Sequence, residues 1–188
     1  MKVTLPLFVR ALAFLLVACV LSGCNVVFLN PLSSPQDATP DKRLLGKWVA
    51  KEKKNSGVYL QVDREPNGEM RISSFGGENT EQDPPLTMFT TRLGRHYYMN
   101  LNATDEDRGK GYLIAKYAVR GDELTVWILD ADKVKSAITQ GKIKGKPGGR
   151  LGITTISDSP EKIASLLEGS GGNHFFELFG NFERVNRK

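Results

Sequence analysis

The side chains best suited to acid–base or metal chemistry in this chain are two histidines, His96 and His174. An imidazole paired with a carboxylate can act as a general base, and Asp105 or Glu177 could supply that carboxylate. The spacing of these residues matches neither a nucleophile elbow nor a zinc-binding motif. The sequence therefore favours ordinary strand or surface histidines, and we predict a protein that is not an enzyme and holds no metal.

A short acidic run at residues 105–107 lies beside Arg108 and Lys110 in a predicted loop. A calcium site needs several oxygen ligands arranged around a glycine-containing turn, and a run of consecutive acids does not supply that pattern. We interpret the run as a solvated loop and predict no cofactor.

The most distinctive polar stretch is residues 141–150, where Lys142, Lys144, Lys146 and Arg150 are interspersed mostly with glycine. These cations could meet anionic lipid headgroups or lipopolysaccharide phosphates, at up to ~1 kcal/mol per cation near an anionic surface. The stretch lacks the Gly-Lys-Ser/Thr of a phosphate-binding loop. A polar linker that prevents aggregation is the simpler interpretation, and the four cations remain candidate anion-binding residues.

The two cysteines, Cys19 and Cys24, both lie near the N-terminus at the end of an apolar run. Lys2 and Arg10 precede the uncharged residues 11–21, an order that is typical of a secretory leader. As a helix these residues would be about 16 Å long, whereas a bilayer core of ~30 Å needs about 20 apolar residues. A cleaved leader is therefore favoured over a spanning helix.

Residues 21–24, Leu-Ser-Gly-Cys, resemble the lipobox of bacterial lipoproteins. The resemblance implies that residues 1–23 are a signal peptide and that the thiol of Cys24 receives lipid, palmitate included. Each buried CH₂ of an acyl chain contributes ~0.8 kcal/mol, and stable anchoring needs more than one chain. Asn25, which is not aspartate, implies transfer to the outer membrane, facing the periplasm, over retention in the inner membrane.

Removal of the leader would leave 165 of the 188 residues, the size of one domain. Lys2 and Arg10 leave with it and no acid does, so the net charge falls from +5 to +3. This mild excess argues against nucleic acid as a partner. Once Cys24 is lipidated, no cysteine remains for a disulfide or a nucleophile, so packing must stabilise the domain.

Residues 24–40 contain several prolines and serines, which oppose regular structure. We predict a flexible tether over this range, with an r.m.s. reach of roughly 20–25 Å. Its apolar start, residues 26–29, could dip into the membrane interface or pack on the domain. The folded domain is predicted to cover residues 41–188.

Short alternating stretches separated by turn residues recur as far as residue 129, a pattern that is typical of antiparallel strands. The clearest hairpin covers residues 57–75, with a turn that contains Asn-Gly. Seven strands are predicted up to residue 129. Two amphipathic helices follow, at residues 130–140 and 158–168, with a short strand at 150–156 between them. One or two closing strands are predicted at 175–179 and 182–186.

This pattern predicts a mainly β fold, an antiparallel up-and-down barrel of about eight strands with two short helices inserted before the last strand. Gly46-x-Trp48 is similar to the Gly-x-Trp of the calycin group, the lipocalins and fatty-acid-binding proteins, although their Thr-Asp-Tyr motif is absent. The resemblance implies a lipocalin-like barrel with Trp48 closing one end. It also implies that Arg184 packs across the indole, a contact worth ~0.5–2 kcal/mol.

An eight-stranded barrel is either just filled by its own side chains or holds one small ligand. We expect a function in binding, of a small apolar molecule inside the barrel or of an envelope component at its rim. A filled barrel would instead act through its surface, as a structural or regulatory partner of an envelope protein. Both hypotheses describe a non-enzymatic lipoprotein held on a membrane of the bacterial envelope through Cys24.

Overall fold

The computed structural model describes residues 26–38, 40–53, 58–76, 84–103, 111–148, 152–169 and 171–185. Several sequence predictions lie outside these residues: the leader at 1–23, the lipidation of Cys24, the acidic run at 105–107 and the cation Arg150.

The described residues form eleven strands. In chain order they are β1 (Val26–Phe28), β2 (Gly46–Ala50), β3 (Tyr59–Arg64), β4 (Met70–Phe75), β5 (Leu86–Leu93), β6 (His96–Asn102), β7 (Tyr112–Arg120), β8 (Glu123–Leu129), β9 (Gly145–Lys146), β10 (Thr154–Ile156) and β11 (Phe176–Arg184).

Eight of these strands form a closed antiparallel barrel. From β2 to β8 each strand pairs with the next along the chain, and β11 pairs with both β8 and β2, which closes the cylinder. Closure leaves none of the eight with a free edge along its whole length. The predicted mainly β, eight-stranded antiparallel barrel is confirmed.

Two helices lie between β8 and β11, as predicted: α1 (Ala131–Thr139) and α2 (Pro160–Glu168). The Asp130 carboxylate accepts two N–H groups at the start of α1, and Gly141, with φ +71°, follows its end. The Ser159 hydroxyl caps α2. Within the described ranges, neither helix is long and apolar enough to cross a membrane.

Three short strands extend the sheet beyond the barrel wall, and we call β1, β10 and β9 the side sheet. β1 pairs with the start of β7 through Phe28 and Tyr112, and on its other side it runs parallel to β10. β9 is antiparallel to β10 at the outer edge. This extension was not predicted, apart from a short strand near β10.

The last strand differs from the prediction. The sequence predicts two stretches, at residues 175–179 and 182–186, whereas β11 runs continuously through Gly180 with a bulge between Leu178 and Gly180. A bulge inserts one extra residue, so the side-chain alternation is interrupted without ending the strand.

Buried side chains form two clusters, one inside the barrel and one outside it. The inner cluster surrounds Trp48 and includes Leu44, Val62, Met70, Met88, Met99, Tyr117, Leu124 and Phe182. The outer cluster joins the outside of the barrel wall to the helices and the side sheet, and includes Val26, Phe28, Tyr98, Ile114, Val134, Ile156, Ile163 and Leu167.

Residues 26–38, which we call the docked segment, lie against the barrel. This corrects the flexible tether predicted over 24–40, for the part that the structure describes. The Leu32 N–H donates to Oδ1 of Asn100 at 2.8 Å, and the hydroxyls of Ser33 and Thr91 are 2.6 Å apart. Side chains of the barrel thus supply hydrogen-bond partners to a segment whose prolines and serines oppose regular structure. Of the alternatives left open for residues 26–29, the structure shows packing on the domain for Val26 and Phe28, whereas Leu29 is exposed.

Candidate functional site

Side chains of the barrel fill the part of its interior around Trp48. Leu44, Trp48 and Met70 are 0% exposed, and Met88 is 1% exposed. A void large enough for water would leave accessible surface on the side chains that line it. These four residues therefore border no such void.

The structure brings together Trp48 and Arg184, the pair named from the calycin resemblance. They are register partners across β2 and β11, and the guanidinium carbon lies 4.2 Å from the centre of the indole. Arg184 also donates to two main-chain oxygens of the turn at residues 41–45. The Trp48 Nε1–H donates to the main-chain oxygen of Leu44 at 2.7 Å. These contacts hold the turn over one end of the barrel.

A carboxylate connects this turn to the barrel interior. The Tyr117 hydroxyl donates to Asp41 at 2.8 Å, and Arg43 Nη2 donates to the same carboxylate at 2.7 Å. Burial alone would raise the pKa of Asp41, but these hydrogen bonds outweigh it and hold the pKa below its usual value. Burial and the bond to Asp41 raise the pKa of the Tyr117 phenol, which stays a donor. The cluster stabilises the closed end.

We expect Asp41 to make the stability of the fold depend on acid pH. As the pH falls through about 4, the unfolded chain, with an ordinary aspartate, binds a proton before the folded chain does. The contribution of Asp41 is therefore complete above that pH, and is lost as the pH falls through its lower folded pKa. The urea midpoint should fall less on acidification in Asp41→Asn than in the parent chain. Equal falls in both proteins would contradict this role.

We call the two helices and the side sheet the outer layer. Two clefts lie in it, one on each side of α2. The first, of about 570 Å³, is lined by Ile163 and Leu166 of α2, by Phe175 and by the exposed Lys142 and Lys162. The second, of about 470 Å³, lies between residues 30–34 of the docked segment and the first turns of α2. Both are outside the barrel.

Neither histidine forms a hydrogen bond to a carboxylate within the part of the chain that the structure describes. His174 lines the larger cleft, and His96 lies on β6, where burial and two neighbouring cations lower its pKa. Of the acids considered as partners, Glu177 is exposed and Asp105 lies outside the described residues. The searched ranges also contain no group of three or more His, Cys, Asp or Glu side chains placed to hold a metal ion.

Three of the four candidate anion-binding residues lie along one edge of the outer layer. Lys142, Lys144 and Lys146 are exposed, and none forms an ion pair with any described residue. The described residues of this stretch are held to the fold, because Lys146 belongs to β9 and the Lys144 N–H donates to Oδ2 of Asp158 at 2.6 Å. Arg150 lies outside the described residues. Where a polar linker was predicted, the structure thus shows a strand edge that carries exposed cations.

Asn100 was missed by the sequence analysis, although it holds the docked segment to the barrel. Its side chain is 0% exposed, accepts the Leu32 N–H and donates to the Thr91 hydroxyl at 2.9 Å. In the sequence it is a polar residue that alternates with apolar ones, a pattern that is typical of a solvent-facing position. No local signal indicates that another segment covers it.

Asp158 was also missed as a link between elements. It is 4% exposed, and besides binding the Lys144 N–H it accepts the Asn30 amide through its main-chain oxygen at 3.3 Å. The sequence indicates only a helix start at residues 158–161. The cap of that helix is Ser159, which leaves the Asp158 carboxylate to join β9 to the loop before α2.

The chain matches no protein-family model, no curated protein and no solved structure.

Proposed function

We propose that this chain is a bacterial envelope lipoprotein, held on a membrane by acyl chains on Cys24, with a non-enzymatic binding module as its folded domain. The likeness of residues 21–24 to a lipobox supports the anchor, and Asn25 supports the outer membrane, facing the periplasm. A lipocalin-like relationship of the barrel is supported by Gly46-x-Trp48 and by the contact of Trp48 with Arg184.

The packed interior around Trp48 is the observation that supports a surface role over an internal ligand. An apolar ligand inside would have to displace side chains such as Trp48 and Met70, which are 0% exposed. Opening a cavity of that size in a packed core costs several kcal/mol, since large-to-small core changes alone cost ~2–5 kcal/mol. The module therefore engages an envelope component through its outer surface, as a structural or regulatory partner.

A small apolar ligand is the second candidate, with the cleft beside α2 as its site. The cleft volume of about 570 Å³ falls within the ~300–1,000 Å³ of small-molecule pockets, and Ile163, Leu166 and Phe175 line it. Native mass spectrometry of the mature chain, with the docked segment intact, separates the candidates. A bound adduct that is lost in Leu166→Asp supports the ligand, and a mass without adduct supports the surface partner.

We expect Cys24→Ser to move the protein from the membrane fraction into the soluble periplasm, because serine offers no thiol for acylation. The measurement is detergent partitioning of cell fractions, together with the mass of the N-terminal peptide. Cys19→Ser is the matched control, since that cysteine lies in the predicted leader and its loss should leave acylation unchanged. Continued detergent partitioning of Cys24→Ser would refute the anchor.

A further inference from the structure

The docked segment brings the start of the described chain to the side sheet. Val26 is the register partner of Thr154 in β10. Two residue steps separate Val26 from Cys24, so their Cα atoms are at most ~7 Å apart. A flexible chain over residues 24–40 would instead leave the barrel roughly 20–25 Å from its anchor. Docking of the segment therefore removes most of that distance between the barrel and its anchor.

One face of the side sheet is turned away from the protein core. Side chains alternate along a strand, and the buried, inward set is Val26, Phe28, Thr154 and Ile156. Thr155 pairs with Val27 on one side and with Lys146 on the other, so these three share the opposite face. We call that opposite set the outward face: Val27, Leu29, Lys144, Lys146 and Thr155.

Lys144 and Leu29 belong to this face because pairing continues past the strand ends. The Ser157 N–H donates to the Lys144 oxygen at 2.9 Å, and the Leu29 N–H donates to the Ile156 oxygen at 2.9 Å. Leu29 is 49% exposed, one of four exposed large apolar side chains among the described residues. The outward face thus combines an exposed leucine and two exposed lysines, with no carboxylate among its members.

The distances favour an electrostatic role for the two lysines. Lys146 lies two strand spacings from Val27, or ~10 Å, which is about one Debye length at physiological salt. If the lipid on Cys24 holds β1 at the headgroups, both lysines lie within range of anionic charge. At the 20–25 Å reach of a free tether, most of that attraction would be screened.

We propose that the outward face lies on the anionic headgroups of the membrane that holds Cys24, with Lys144 and Lys146 against lipid phosphates and Leu29 at the interface. This proposal rests on the anchor proposed above. It fixes the orientation of the barrel on the membrane. β3, which is four strands from β7 in either direction around the barrel, then faces away from the lipid.

The test uses the acylated full-length mature chain in vesicles of phosphatidylcholine with phosphatidylglycerol. Thr155→Cys and Asp63→Cys each introduce one thiol for a fluorescent label, because no other free thiol remains once Cys24 is acylated. Asp63 is an exposed residue of β3. We expect iodide to quench the label at residue 155 several-fold less than the label at residue 63. In vesicles of phosphatidylcholine alone the difference should shrink.

The charge dependence is tested by Lys144→Gln with Lys146→Gln in the chain labelled at residue 155. Each cation near an anionic surface contributes about fivefold in binding (~1 kcal/mol). Removing both should lower the ratio of docked to undocked orientations about 25-fold and expose the label. The matched control is Lys42→Gln with Arg64→Gln, which removes two exposed cations from the opposite end of the strands and should leave the label shielded.

The outcomes separate this proposal from the anchor. If the mass shows acylated Cys24 but the labels at residues 155 and 63 are quenched alike on anionic vesicles, the orientation is refuted and the anchor stands. If Cys24 carries no acyl chain, the anchor is refuted, and this orientation with it. Shielding that persists unchanged in the double glutamine variant refutes the role of the lysines.

Discussion

Replacement of Trp48 by alanine should lower the free energy of unfolding by about 3–5 kcal/mol, the range for removing a buried tryptophan. The indole is 0% exposed at the centre of the inner cluster. Its removal would also leave the Leu44 oxygen without its donor and Arg184 without the ring beneath it. Urea unfolding followed by circular dichroism measures the loss.

Trp127→Ala is the matched control, because Trp127 is the other tryptophan of the chain and lies on the outside of β8. It is partly exposed, with the Lys116 ammonium 4.6 Å from its ring centre. We expect that variant to lose less than half as much stability. The loss of stability in Trp48→Phe should fall between the losses in Trp48→Ala and Trp127→Ala, since phenylalanine keeps a ring but has no donor for the Leu44 oxygen. Equal losses for the two alanine variants would contradict a closing role for Trp48.

Asn100→Leu should release the docked segment from the barrel while the barrel itself stays folded. Leucine is similar in size but cannot accept the buried Leu32 N–H. An unpaired buried donor costs ~1–3 kcal/mol. This cost corresponds to a roughly 5–150-fold larger population of molecules in which the docked segment is detached from the barrel. Chymotrypsin, which cleaves after aromatic residues and leucine, should therefore cut at Phe28, Leu29 or Leu32 faster by about that factor.

The matched control for this prediction is Asn102→Leu, the same substitution two residues further along β6. Asn102 is exposed and lies on the same face of the strand as Asn100. Its substitution should leave the cleavage rate near that of the parent chain. An unchanged rate in Asn100→Leu, with the substitution confirmed by mass, would show that the segment is held by its apolar contacts alone.

The barrel could be predicted from the sequence because its signals are local. Alternation and turn residues indicate the strands, and the Asn-Gly turn at residues 67–68 marks the hairpin of β3 and β4. Both helices carry their own caps, at Asp130 and Ser159. Consecutive hairpins leave few ways to arrange such strands other than side by side, and the last strand then closes the cylinder.

The contact of Trp48 with Arg184 at the closed end of the barrel was predicted from the calycin resemblance and not from the alternation of residues. Gly46, with φ +119°, adopts a conformation that other residues rarely do, and a Cβ there would lie 3.0 Å from Arg184 Nη1. That glycine allows the guanidinium to approach the turn. Alternation alone does not indicate which arginine packs on which tryptophan, because the two residues lie at opposite ends of the chain.

The pairing of the side sheet could not be predicted because its partners are distant in sequence and its strands are very short. β1 has three residues and β9 has two, too few for alternation to be recognised. The lysines were found as a charged run, but their common face depends on the register of β9 with β10. Leu29 was identified in the sequence only as part of an apolar stretch. The parallel pairing of β1 with β10 shows which side of that stretch is exposed.

The pairing of residues 26–30 with residues 154–158 also limits the order in which the fold can form. Asn30 and Asp158, which are hydrogen-bonded, are 128 residues apart, and β1 runs parallel to a strand that is synthesised near the end of the chain. Such distant contacts form late in folding. The docked segment therefore joins the fold only after residues up to Asp158 have been synthesised. If the chain is the exported lipoprotein proposed above, this order allows Cys24 to be acylated before the segment docks.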